Sequence, residues 1–394
     1  MKESLFNYRF EYENQKYIFN TNNNGLIQIN NDIFTEEERE YLRVNRFWVD
    51  DNEDEIALLE REINHNIQKR QKELELTIAL TNYCNFSCVY CYQNKNEKLM
   101  TTEVANMIIE KIDRILNDNI FEGINIHYFG GEPLLNIPVL IYLDENIKKI
   151  TDKIGIVYKA FLTTNGSMLS KELLQKVKFS SIQLTFDGLE KTHDRLRVSD
   201  HFHFKEEIEL IENIMNFSQA KVLLRTNICK ENKDEIIALH KYIFEKFGNE
   251  RIEINPNRTI KYHQDDSFEM LSVQEYAEVA YQIKLLWSEQ KGKFELPVPR
   301  STPCKFPYGN AYAISPEGYC TFCSGSMDQE KKYFFDVDIE NKKMFSVRKE
   351  CKKCNILPLC LGGSIIQYNL RAGACTYEKY ELKNILISYI KHIS

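Results

Sequence analysis

Apolar residues recur along the middle of the chain in two alternating periods, and that alternation predicts the architecture. Short β-rich apolar runs cover 73–79, 124–129 (INIHYF), 156–163 (IVYKAFLT), 181–186 (SIQLTF), 221–228 (KVLLRTNI) and 251–255 (RIEIN). Stretches with the three-to-four-residue spacing of amphipathic helices lie between them: 103–116 (EVANMIIEKIDRIL), 171–177 (KELLQKV), 206–217 (EEIELIENIMNF) and 234–247 (DEIIALHKYIFEKF). Six β-then-α units at this spacing predict an α/β fold, with a parallel sheet covered by helices. Periodicity leaves open whether the sheet is doubly wound or a partial barrel.

The flanks read differently. Residues 1–72 begin with short strands joined by the turn-rich NTNNNG (20–25), and an acidic helical stretch follows at 51–72. This predicts a small N-terminal α+β segment, either a peptide-docking module or a hairpin and helix that cap one edge of the sheet. The run from Asp50 to Glu55 is expected to be a solvated acidic face. A Pro-containing break, PVPRSTPC (297–304), marks a second boundary. The domain expectation is therefore 1–72, 73–296 and 297–394, the last ending in a helix.

Composition narrows the function classes. A length of 394 residues suits two or three domains, and 43% hydrophobic with 28% charged residues is a globular balance. The formal net charge of −7 supplies no positive field to draw in phosphate backbones, so nucleic acid is not an expected partner. No apolar run approaches the ~18 residues of a membrane span. MKESLFNYRF also lacks a basic region followed by a hydrophobic stretch, so a cytoplasmic protein with no membrane partner is expected. In a reducing compartment, 11 cysteines, an odd number, point to metal or redox chemistry rather than a disulfide framework.

Those cysteines are not scattered. Cys84, Cys88 and Cys91 form CNFSCVYC directly after the first strand, seven more lie between Cys304 and Cys375, and Cys229 stands alone. In α/β sheets and barrels chemistry collects on loops at the carboxyl ends of strands, where the first three thiols fall. A closed zinc site would need a fourth ligand and usually pairs Cys-x2-Cys with His. A [4Fe–4S] cluster has four irons, so three thiolates leave one iron open to another ligand.

This motif resembles that of the radical SAM enzymes. The resemblance implies a partial (β/α)6 TIM-type barrel in which the open iron chelates the amino and carboxylate groups of S-adenosyl-L-methionine. It also implies that the reduced cluster, fed by a low-potential donor such as flavodoxin or ferredoxin, splits that cosubstrate to a 5′-deoxyadenosyl radical. Cys84, Cys88 and Cys91 then carry the catalysis, and Tyr90 lies near the adenine. FGGEP (129–133) ends the second strand; there Gly130 and Gly131 permit close backbone approach, Glu132 accepts hydrogen bonds from the cosubstrate's ammonium, and Pro133 closes the segment. LTTNG (162–166), LTFDG (184–188) and RTN (225–227) sit at the next strand ends. Their Thr164, Asn165, Thr185, Asp187, Arg225 and Asn227 can bind a zwitterionic nucleoside, or instead cap helices and close turns. In HDRLR, His193, Asp194 and Arg197 are expected to form a structural ion pair near the site mouth, and Cys229 to be a small packed side chain.

From Cys304 onward the chain resembles the SPASM extension of peptide- and protein-modifying radical SAM enzymes. The resemblance implies auxiliary [4Fe–4S] clusters, one or two in number. Cys351, Cys354, Cys360 and Cys375 are implied as a closed distal set. Cys304, Cys320 and Cys323 form a proximal set that lacks a ligand, because Ser364 stands where the family has cysteine. That proximal site admits three readings: a cluster with a vacant iron that takes a substrate thiolate, a cluster completed by another ligand, or no cluster.

The function expected is a peptide maturase that abstracts hydrogen from a ribosomally made precursor peptide and forms a thioether or carbon–carbon crosslink. One alternative is an anaerobic sulfatase-type maturase, disfavoured because Ser324 replaces the aspartate that follows the cysteine at 323 in that subgroup. The other is an iron–sulfur electron-transfer or binding protein.

Overall fold

The computed structural model describes residues 1–29, 34–70, 72–93, 95–118, 121–248, 251–261, 267–308, 310–321, 323, 332–337, 344–364 and 375–393. The chain begins with β1 (Lys2–Glu3), β2 (Asn7–Tyr12), β3 (Gln15–Asn20) and β4 (Gly25–Ile29), followed by α1 (Glu36–Val44), β5 (Trp48–Val49) and α2 (Glu55–Arg70). Strands β2, β3 and β4 form an antiparallel meander. Its first turn holds Glu13 and Asn14 at φ 50° and 60°, the left-handed pair that a two-residue hairpin between twisted strands requires. In the second turn, Asn23 Oδ1 accepts from Gly25 N at 2.8 Å. The acidic stretch is α2, whose Leu59, Ile63 and Ile67 recur at four-residue spacing as its buried stripe.

The alternating middle of the chain forms β6 (Glu73–Ala79), α3 (Thr102–Asp118), β7 (Gly123–Phe129), α4 (Ile137–Ile154), β8 (Val157–Thr163), α5 (Lys171–Lys176), β9 (Phe179–Thr185), α6 (Glu190–Leu196), α7 (Phe204–Phe217), β10 (Lys221–Ile228), α8 (Ile236–Phe247) and β11 (Ile252–Arg258). From β6 to β11 all pairings are parallel, and each strand neighbours the next in chain order. A doubly wound sheet reverses its strand order at a switch point, and these six strands never reverse. The partial (β/α)6 barrel is therefore the fold.

The two faces of the sheet differ chemically. Leu74, Leu76, Ile78, Ile124, Ile126, Tyr128, Ile182, Leu184, Val222 and Leu224 are fully buried on one face. The alternate positions Asn125, His127, Thr163, Gln183, Arg225 and Asn255 are polar and half-buried. His127 Nε2 lies 2.7 Å from Thr163 Oγ1, and Asn255 Nδ2 donates to Gln183 Oε1 at 3.1 Å. A parallel strand closed in on both faces would read as a continuous apolar run, so this alternation leaves one face lined for polar contents.

The remaining elements are α9 (Val273–Lys291), α10 (Lys305–Tyr308), β12 (Ala311–Ile314), β13 (Tyr319–Thr321), β14 (Lys332–Tyr333), α11 (Leu357–Cys360) and α12 (Glu378–Ile393). β12 joins the barrel sheet parallel to β6, and β13 and β14 continue it antiparallel. By packing, the chain divides into two compact units: one holds 1–69, 272–304 and 343–394, the other 70–271 and 305–342. Within the first unit, Phe10 and Phe19 of the meander share a core with Ile356, Leu359, Leu382, Leu386 and Ile390, so sequence-distant ends fold together. Among the described residues no helix is long and apolar enough to cross a membrane.

Candidate active site

The site is built on the loop that leaves β6. Its neck is closed by Met100 N donating to Leu80 O at 2.8 Å, and Asn136 Nδ2 donates to both Leu80 O (3.1 Å) and Met100 O (2.9 Å). Inside the loop Ser87 N donates to Val198 O at 2.8 Å and Val89 N to Leu196 O at 3.0 Å, which fixes the backbone around Cys88 to the end of α6. Phe86 is buried beneath it.

Cys84, Cys88 and Cys91 are all half-buried and free. Among the described residues no three His, Cys, Asp or Glu side chains converge on one point as the ligands of a single metal ion would. Cys91 nevertheless lies close enough to act on the charge of both Cys84 and Cys88, and Cys84 on that of Cys88. Burial, the dominant cause, pushes the Cys84 thiol up and that of Cys88 up to about 11; the Arg197 guanidinium opposes it at Cys88. Three soft donors spread over one loop, beside a cation, fit a multinuclear cluster that takes each thiolate on its own iron.

FGGEP explains itself sterically. A Cβ on Gly130, at φ +136°, would sit 2.3 Å from Thr81 O, and one on Gly131 would sit 2.2 Å from Tyr83 O. The close approach these glycines allow is to the backbone entering the cysteine loop, where Gly131 N donates to Thr81 O and Glu132 N to Tyr83 O, each at 2.8 Å. Glu132 is fully buried and accepts from Leu134 N (3.0 Å), Thr164 Oγ1 (2.7 Å) and Asn165 N (2.6 Å). Its carboxylate thus ties the end of β7 to the end of β8. Burial raises its pKa, against the pull of those hydrogen bonds. Pro133 is buried at the start of a single helical turn.

Asn165 reaches the cysteine loop directly. Its Nδ2 donates to Asn85 Oδ1 at 2.8 Å and lies 3.9 Å from Cys84 Sγ, while its Oδ1 accepts from Ser167 N (3.0 Å) and Ser167 Oγ (2.7 Å). Asp187, fully buried, accepts from the Tyr90 hydroxyl and, at 2.7 Å, from Asn227 N. Asn232 Nδ2 bridges Asp187 O (2.8 Å) and Asn227 O (2.9 Å), and Arg225 Nε donates to Asn227 Oδ1 at 2.9 Å. Tyr90, expected beside an adenine, has its ring edge-on to Phe268, with centroids 6.4 Å apart. Burial is the first cause that raises the pKa of Asp187, and of the Tyr90 hydroxyl well above its ordinary value. Thr185 is buried in register with Arg225.

The HDRLR segment makes its ion pairs with residues outside itself. His193 Nε2 lies 3.1 Å from Glu207 Oε2, both fully buried; Asp194 Oδ1 instead accepts from Phe204 N at 2.9 Å, opening α7. Arg197 is buried with its guanidinium 5.3 Å over the Phe86 ring, and Cys88, Tyr90, Glu207 and Asp187 all act on its charge. His193 and Arg197, four positions apart, both come near Glu207, while Asp194, one position on from His193, turns to the start of α7. Asn85, Ser167, Glu207 and Asn232 were missed in the sequence. Asn85 and Ser167 directly follow motif residues, which is a usable signal; Glu207 and Asn232 have none.

The later cysteines distribute over both units. Cys304 is exposed in the first unit, whereas Cys320, buried in β13, and half-buried Cys323 belong to the second. In the first unit Cys351 N donates to Arg348 O (2.9 Å), Cys354 N to Cys351 O (3.1 Å) and Gly362 N to Cys360 Sγ (3.4 Å), so the three thiols are held in one tight succession of turns. Cys375 is exposed, Ser364 is half-buried, and Ser324 lies outside the described residues. Cys229 is buried with Leu196 and Phe268 and points its thiol at Asn232 Oδ1, 3.6 Å away, a packed side chain.

Residues 78–243 match the model of the radical SAM superfamily. The chain is 24% identical over 371 residues to the radical SAM cyclopropyl synthase TigE of Paramaledivibacter caminithermalis, covering 83% of this chain and 76% of that one. Of the other curated relatives matched first, it spans only 39% and 53% of their own length. Among solved structures, anSMEcpe with bound AdoMet superposes with a TM-score of 0.65 at 18% identity, over 82% of this chain and 98% of that one. Streptococcus suis SuiB bound to its precursor peptide SuiA does so at 0.55 and 16%, over 93% and 96%.

Proposed function

We propose, on the premise that residues 78–243 are a radical SAM domain, that this chain is a peptide maturase acting on a ribosomally made precursor. The observation that carries the reading is the clamped three-thiol loop at the carboxyl ends of the barrel strands, with Glu132, Asp187 and Arg197 buried around it. Radical SAM domains use a [4Fe–4S] cluster and S-adenosylmethionine; when bound here, held by Cys84, Cys88 and Cys91, they supply a 5′-deoxyadenosyl radical.

The chain's own residues do the rest. Glu132, Thr164, Asp187, Arg225 and Asn227 set the polar groups that orient the cosubstrate. Phe86 and the packed strand ends exclude water from the site. The polar half-buried face of Asn125, His127, Gln183 and Asn255 receives the peptide. An auxiliary [4Fe–4S] cluster belongs on Cys351, Cys354, Cys360 and Cys375, as electron sink or scaffold.

The peptide assignment is supported by the likeness to SuiB, whose structure holds a precursor peptide. It is also supported by the N-terminal segment, where β4 pairs with β3 alone among the described strands and leaves an edge for strand addition by a leader peptide. Eleven cysteines with no disulfide among them suit the cytosol, where a flavodoxin or ferredoxin would be the donor.

The test is anaerobic incubation of the enzyme with S-adenosylmethionine, reductant and the short peptide encoded beside the gene. 5′-Deoxyadenosine and a peptide lighter by two hydrogens are expected, and replacement of Cys84, Cys88 and Cys91 by Ala abolishes both. An unchanged peptide mass with the wild-type enzyme overturns the peptide reading.

A further inference from the structure

The cysteine loop is held at both ends by polar clamps made entirely of protein groups. At the Cys91 end Tyr90 reaches Asp187, which is itself tied to β10 through Asn227 N. At the Cys84 end the clamp is a closed set of carboxamides and a hydroxyl. Asn165 Nδ2 donates to Asn85 Oδ1 at 2.8 Å, Asn85 Nδ2 donates to Ser167 Oγ at 2.9 Å, and Ser167 Oγ donates to Asn165 Oδ1 at 2.7 Å. Each of the three residues therefore holds the next, and the ring fixes the orientation of the Asn165 amide beyond the choice that rotation about its last bond would leave.

That fixed orientation leaves Asn165 Nδ2 with one more hydrogen, and 3.9 Å away lies Cys84 Sγ. The same sulfur receives the backbone N–H of Phe86 at 3.4 Å. Asn165 is buried, so water does not compete for this donor. The three thiols are thus unequally treated: Cys84 has two N–H groups aimed at it, and the Arg197 guanidinium acts on the charge of Cys88.

Resting on the reading of Cys84, Cys88 and Cys91 as cluster ligands, we infer that Asn165 is a positioning residue of a different kind from a cosubstrate ligand. It locks the Cys84 end of the loop through Asn85 and Ser167, and its remaining N–H donates to the Cys84 sulfur. Hydrogen bonds to cluster sulfurs favour the more negatively charged, reduced form, so this one amide sets how readily the cluster accepts its electron. Asn165's carboxamide is fully used by these partners, which separates it from the strand-end groups that orient the cosubstrate.

Two substitutions separate the roles. Asn165→Asp keeps the Oδ1 acceptor for Ser167, and Asn85 keeps the clamp by turning its own amide to donate; what is lost is the N–H toward sulfur, replaced by negative charge. Asn85→Ala removes a clamp member and leaves the Asn165 donor. The readouts are the midpoint potential of the four-iron signal that responds to added S-adenosylmethionine, followed by electron paramagnetic resonance during a redox titration, and the rate at which a chelator strips iron. Asn165→Asp is expected to shift the potential to more negative values with iron retention near wild type. Asn85→Ala is expected to lose iron faster with its potential unmoved.

An unmoved potential in Asn165→Asp, or the same iron loss in both variants with no difference in potential, overturns the inference while leaving the proposed function standing. A wild-type chain that assembles no four-iron cluster on these thiols overturns both.

Discussion

Replacing Gly131 by Ala isolates the steric demand that places the cysteine loop. Gly131 lies outside the left-handed region, so the substitution carries no backbone penalty of its own. The added Cβ would lie 2.2 Å from Tyr83 O, 2.5 Å from Tyr83 C and 2.8 Å from Asn82 O. Relief requires the loop backbone to retreat by roughly 1 Å or more. That movement breaks the 2.8 Å bonds from Gly131 N to Thr81 O and from Glu132 N to Tyr83 O. Two buried donors left unpaired cost about 1–3 kcal/mol each, and the residual overpacking about 1 kcal/mol more, so a loss of about 3–7 kcal/mol is expected. For a unit of this size each kcal/mol lowers Tm by about 2–4 °C, which places the melting point about 6 °C or more below wild type.

Gly155→Ala is the matched control. Its φ of +83° is left-handed but nothing lies within 4 Å of the new Cβ, so it costs about 1 kcal/mol and a few degrees. The assay is thermal unfolding of the metal-free protein by circular dichroism, with iron uptake on anaerobic reconstitution as the second reading. A Gly131→Ala protein that melts with Gly155→Ala and takes up iron as wild type does would refute the steric reasoning.

Tyr90→Phe leaves the buried Asp187 Oδ2 without its hydroxyl partner and is expected to cost about 1–3 kcal/mol and to loosen the Cys91 end of the loop, seen as faster amide exchange over residues 84–91. His240 is fully buried and its pKa is pushed down to about 3, so the unfolded chain takes the proton first as pH falls below ~6.5. Its contribution to stability is whole above that pH and is lost at about 1.4 kcal/mol per unit on acidification toward its folded value; denaturant melts from pH 7 to 4 should show a shallower loss in His240→Leu. Lys284→Met strands the buried Glu381 carboxylate between α9 and α12 and is expected to cost about 3 kcal/mol by urea unfolding, largely recovered in Lys284→Met with Glu381→Leu. Changing Cys351 and Cys354 together to Ala is expected to leave 5′-deoxyadenosine formation while peptide product is lost; product at wild-type yield would remove the distal site from the reaction.

Much of the barrel was legible without coordinates, because strands and helices at this spacing carry their period in the residues themselves. The strands written by ELELTIA, INIHYF and KVLLRTNI emerge at or within a residue or two of the positions their alternation predicts. The cysteine triad was legible for a similar reason: three ligands within eight residues need no long-range information to be recognised together. FGGEP was readable as a motif, yet what its glycines approach was not, since Thr81 and Tyr83 come against Gly130 and Gly131 only when β6 and β7 pair. The HDRLR ion pair was readable as such, but its partner was not: His193 meets Glu207, and Glu207 also acts on the charge of Arg197.

By itself, then, the sequence determined the elements, their order and the ligand-bearing loop, all of which depend on near neighbours in the chain. The tertiary structure alone decided the winding, because barrel and doubly wound sheets share one local periodicity and differ only in which strand pairs with which. It likewise decided that β12 joins β6, that the meander shares a core with α11 and α12, and that Asn165 faces Cys84. Those contacts join residues tens to hundreds of positions apart. No local pattern encodes such a contact, because its free energy exists only once the intervening chain has closed.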